Sequence, residues 1–130
     1  MKINKIDSCK LGMPKPLMEM ARVGFFDEYE IYIHTDDPGN IPHFHIWDAS
    51  TKGNNYHTCI RIDKPEYFHH TGKEDILNSK DKKDLVRFLK SKPKNERYDN
   101  YWQILVDEWN RNNSIIKIDP DQEMPDYTKL

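Results

Sequence analysis

Residues 29–34, Tyr-Glu-Ile-Tyr-Ile-His, alternate strictly, with Tyr29, Ile31 and Ile33 on one face. That is the period of a half-buried strand. Ala21 to Phe26 precede it across Asp27-Glu28, so the pair predicts a hairpin joined by a tight turn. Asp36-Asp37-Pro38-Gly39-Asn40 is a second turn signal, because Pro presets φ and Gly or Asn accepts a positive one. A third strand is expected over Ile41 to Trp47, with His43, His45 and Trp47 on one face and Phe44 and Ile46 on the other. After a loop through Ala49–Gly53, residues 55–62 predict a fourth strand. There Tyr56, Thr58, Ile60 and Ile62 share one face, and His57, Cys59 and Arg61 the other.

The period then changes. Residues 63–78 are expected as a loop or short strand. Asn78 or Ser79 should cap a helix over about 80–91, whose apolar positions are Leu85, Val86, Phe88 and Leu89 and which Pro93 ends. Asn100 and Gln103 stand at capping-box spacing before a helix over about 100–112. Its Trp102, Leu105, Val106 and Trp109 form a buried stripe, and Asn112-Asn113 can end it in a left-handed conformation. Ser114 to Ile118 predicts a last strand.

This order predicts one α+β domain: a small, mostly antiparallel sheet of four to five strands with two helices packed on one face. The domain is expected over 21–119, with 1–20 an extension or strap interrupted by Pro14 and Pro16, and 120–130 an acidic tail. Phe44, Ile46, Ile60 and Ile62 should face Leu85, Leu89, Trp102, Leu105 and Trp109, leaving the His43/His45 face as the outer, working side.

Composition refines this picture modestly. The chain of 130 residues is 32% charged and 36% apolar, and its 12% aromatic content argues against disorder. A net charge of -2 creates no overall attraction to nucleic acid or membrane. Residues 73–97 carry nine Lys/Arg against five Asp/Glu, and residues 98–130 three against seven, a pattern read as solvated helix surfaces or as a phosphate-binding face beside a repulsive one. No signal-like or membrane-length apolar run is present. With only Cys9 and Cys59, the expected compartment is the cytoplasm and the expected state of both cysteines is the free thiol.

Chemistry concentrates on the histidine face. Pairing the third and fourth strands so that His45 opposes His57 and His43 opposes Cys59 puts all four side chains on one face. Directly opposed Cβ atoms there lie about 4.5–5.5 Å apart. Three imidazoles and a thiolate suit zinc or another divalent metal. Two other readings stay open. His43 and His45 beside Arg61 could act as acid and base on a phosphodiester, as in a small nuclease. Trp47, Tyr56 and the histidines could instead form a stacking surface for RNA or a protein partner. Phosphate-binding glycine loops, nucleophile elbows, Cys-x-x-Cys and His-Glu-x-x-His are absent from the sequence.

Pro42-His43-Phe44-His45, the following strand Thr58–Ile62, a basic helix with Leu85-Val86, a helix ending in Trp109-Asn110 and a final Ile116-Lys117-Ile118 come in a recognisable order. In that order the chain resembles, from about Ala21 to Asp119, the small bacterial family classed as "domain of unknown function 4160". Members of that family typically carry Pro-Pro-His-Phe-His or Pro-Pro-His-Ile-His. The resemblance implies a component of a toxin–antitoxin-like or defence module, with a protein partner encoded nearby or an RNA partner. It carries over only His43, Phe44 and His45. Ile41 stands where the family has its first Pro, and His57 lies outside the motif.

Overall fold

The computed structural model describes residues 20–35, 41–48, 57–68, 76–113 and 115–130. The strap over 1–20 (bar Met20), the Asp36–Asn40 turn, the Ala49–Gly53 loop, Asn55, Tyr56, His69, His70 and Cys9 lie outside the described residues.

Four strands form one antiparallel sheet in chain order: β1 (Met20–Phe26), β2 (Tyr29–His34), β3 (His43–Asp48) and β4 (His57–Arg61). Among the described residues two helices follow, α1 (Ser79–Lys90) and α2 (Tyr101–Asn112), and one 3-10 turn, Tyr127–Lys129, lies near the end. The domain is therefore α+β, with a four-stranded sheet and two helices among the described residues.

The β1–β2 turn is the two residues Asp27 and Glu28, closed by the pair Phe26 and Tyr29. Asp27 takes a positive φ of 51°, which the hairpin's twist favours and a short polar side chain tolerates. A register shift between Arg22 and Gly24 interrupts the regular pairing of β1. Gly24 sits there because a Cβ would come within 2.8 Å of the Phe88 ring on α1.

The helix starts are chemically explicit. Asn78 caps α1, its Oδ1 accepting from the Asp81 amide at 2.8 Å. Asn100 caps α2 in the same way through the Gln103 amide at 2.9 Å. The Gln103 side chain reaches back to accept from the Asp99 amide at 2.7 Å, one residue before the expected box partner. Asn113 ends α2 in extended rather than left-handed backbone, and its side chain donates to the Trp109 carbonyl.

Phe44, Ile46, Ile60 and Ile62 share one core with Leu85, Leu89, Trp102, Leu105 and Trp109, as the alternation requires. Residues 115–118 do not form the expected strand. The Asn110 amide bonds both the N–H and the C=O of Ile118 at 2.8 Å, and the Trp109 indole donates to the Ile116 carbonyl. Side chains of α2 thus satisfy backbone groups that a sheet ladder otherwise would. Among the described residues, no helix is long and apolar enough to cross a membrane.

Candidate metal centre

The sheet's second face is built in rows. Across β2, β3 and β4, Glu30 pairs with Trp47 and Trp47 with His57, and in the next row Tyr32 pairs with His45 and His45 with Cys59. One row further, His43 pairs with Arg61. The β3–β4 register is thus displaced by two residues from the one expected, in which His45 opposed His57. A two-residue shift leaves every side chain on its face, because strand side chains repeat every two residues. It does change the neighbours, and His43 gains Arg61 where Cys59 was expected.

The displacement gathers three of the four expected ligands. His45 Nδ1 lies 3.1 Å from His57 Nε2 and 3.3 Å from Cys59 Sγ, and Cys59 Sγ lies 3.8 Å from His57 Nε2. With Zn–N about 2.05 Å and Zn–S about 2.3 Å, tetrahedral angles require about 3.3 Å between nitrogens and about 3.6 Å between nitrogen and sulfur. The three donor atoms already stand near those separations, so His45, His57 and Cys59 could hold a metal ion. Fractional exposure is 0% for His45, 2% for His57 and 0% for Cys59, so such an ion would be closed off from solvent.

His43 is equally buried but stands outside this group. Its Nδ1–H donates to the Ile41 carbonyl at 2.7 Å, which fixes its tautomer. Its ring packs on Phe68, with centroids 4.4 Å apart. Arg61 is held by carboxylates: Nε and Nη2 donate to the two oxygens of Asp63, each at 3.0 Å, and Glu66 lies 3.7 Å away. The Asp63 bonds hold its guanidinium protonated above the usual arginine range. The expected outer face is therefore buried at all of its histidines, and the cation beside it is engaged.

Two residues of β2, Tyr32 and His34, also belong to this face. Tyr32 stacks on His45 with centroids 4.9 Å apart, and His34 meets the same ring edge-on at 4.5 Å. Both were legible, since Tyr32 and His34 alternate with Ile31 and Ile33. The Tyr32 hydroxyl is buried without a hydrogen-bond partner, and burial pushes its pKa up.

Cys59 is disulfide-bonded, against the expectation of a free thiol. The chain has one other cysteine, Cys9. A disulfide sulfur carries no thiolate charge, and the thiolate is the ligand form.

A second group of donors, Asp27, Asp81 and Asp84, lies where the β1–β2 turn meets α1. It is already compensated: Lys80 bonds Asp84 at 2.7 Å and lies 3.8 Å from Asp27, Arg87 bonds Asp84 at 3.0 Å, and the Tyr29 hydroxyl donates to Asp81. This is an ion-pair network at a helix start.

The fold and site together define a small α+β domain with a buried His-His-Cys cluster across strands β3 and β4 of its sheet. Comparison with family models, with curated proteins and with solved structures returns no match.

Proposed function

We propose that this chain is a zinc-binding component of a two-partner module of the toxin–antitoxin-like kind, with the ion held by His45, His57 and reduced Cys59. The observation that carries the metal reading is the spacing of the three donor atoms, 3.1, 3.3 and 3.8 Å. Mixed imidazole and thiolate donors at tetrahedral separations favour zinc over magnesium or calcium, which prefer oxygen. A fourth position is left for water or another ligand. Burial supports a structural or regulatory ion, because catalytic zinc needs a position that substrate can reach. The same burial, with Arg61 already paired, weighs against a nuclease that uses His43, His45 and Arg61. The module assignment rests on the resemblance of the Pro42–His45 stretch, and a cytoplasmic setting fits it because a reducing compartment supplies the thiolate.

The test is zinc stoichiometry in the dithiol-reduced, dialysed protein, with cobalt(II) absorption reporting thiolate ligation. Wild type should retain one ion per chain. His45→Ala and His57→Ala should lose it, and His43→Ala should keep it. Retention by His45→Ala, or loss only in His43→Ala, overturns the ligand set. RNA cleaved by wild type and spared by His45→Ala would instead favour the nuclease.

A further inference from the structure

We infer that Cys59 makes the metal site redox-gated: one sulfur serves either a disulfide or the metal, so oxidation and zinc occupancy exclude each other. The inference rests on the metal reading above and adds its regulation. Two observations meet at one atom. Cys59 Sγ lies within 3.3 Å of His45 Nδ1 and 3.8 Å of His57 Nε2, and the same residue is disulfide-bonded. The Tyr32 hydroxyl, on the row that holds His45 and Cys59, is a buried polar group with no hydrogen-bond partner, as expected where a ligand or its bound water is to be accommodated.

The chemistry balances as thiol–disulfide exchange followed by metal binding. A small dithiol or a dithiol protein attacks as thiolate, forms a mixed disulfide with one sulfur and releases the other. Its second thiol then closes its own disulfide. Two electrons pass from the dithiol to the protein disulfide, and both protein sulfurs end as thiols. Zinc then takes the place of the Cys59 proton, which leaves to solvent. In the oxidised chain the two imidazoles remain, joined by the 3.1 Å contact between His45 Nδ1 and His57 Nε2. Two neutral nitrogens bind zinc far more weakly than two nitrogens and a thiolate.

Zinc affinity is measured by competition with a chromophoric chelator on full-length protein, once oxidised and once held in excess dithiol without oxygen. Intact mass reads the difference of two hydrogen atoms between the forms. The reduced chain should bind zinc at least about 100-fold more tightly, beyond the loss typical of removing an outer-shell partner. Cys9→Ser, which removes the other cysteine of the chain, should bind tightly with or without dithiol. Equal affinity in the oxidised and reduced wild type overturns the gating while leaving the metal site standing. Absence of zinc from the reduced wild type overturns the metal site, and the gating with it. Should Cys9→Ser not fold, the two wild-type forms decide the matter alone.

Discussion

Several side chains on this domain are held by charge-assisted bonds, and Asp107 is the clearest case. The Tyr98 hydroxyl donates to it, Arg111 lies 2.8 Å away and Arg97 3.5 Å. The Tyr98 bond, ahead of the two arginines, holds its carboxyl below the usual carboxylate range. A pKa depressed by folding contributes stability above the unfolded value of about 3.9, and that contribution is lost as pH falls through the lower folded value. Wild type should therefore exceed Asp107→Asn in melting temperature near neutrality. The gap should close progressively below about pH 4, and thermal melts at stepped pH check this. A gap that widens toward acid would contradict the assigned direction.

At the scale of elements, the close approach of β1 to α1 depends on one missing Cβ. Phe88 cannot easily swing away from Gly24, because its ring is stacked on Tyr101 at 4.3 Å and on Phe26 at 5.9 Å. Gly24→Ala should therefore destabilise by about 1–3 kcal/mol, the usual range for overpacking. Urea denaturation checks it, and restoration by Phe88→Leu in the double variant would assign the loss to that contact. The caps, the hairpin and both helices were legible in the sequence. Each is local: Asn78 and Asn100 stand three residues before the amides they accept from, and the strands alternate within six residues. The strand expected over Ser114 to Ile118 has the β-branched Ile115, Ile116 and Ile118 in its favour. That composition does not say whether a neighbouring strand or an Asn side chain will meet the backbone.

For the whole molecule, the acidic C-terminal segment packs into the core through Tyr127. Tyr127 is fully buried, and its hydroxyl donates to the Ile62 carbonyl at 2.7 Å and accepts from the Trp102 indole at 3.2 Å. It thereby joins the end of β4 to α2, while Lys82 on α1 bonds the Leu130 carbonyl. Tyr127→Ala should cost about 3–5 kcal/mol, the range for emptying a large aromatic site, with loss of cooperative unfolding if the sheet and helices separate. Calorimetry of the variant measures both, and a loss below about 1 kcal/mol would show the segment to be peripheral.

The candidate site shows where sequence and tertiary structure divide. Alternation alone puts His45, His57 and Cys59 on one face of the sheet and Phe44, Ile46 and Ile60 on the other, and the structure keeps that division. Alternation cannot choose between registers two residues apart, since each buries the same apolar side chains. Packing across the whole sheet made that choice. It set His45 opposite Cys59, drew His57 in from the neighbouring row, and sent His43 to Arg61. Burial of the histidine face is likewise decided by distant parts of the chain. The sequence by itself determined the faces, the helices and the identity of the donors. Only the tertiary structure decided which donors meet, because register and burial come from contacts far apart along the chain.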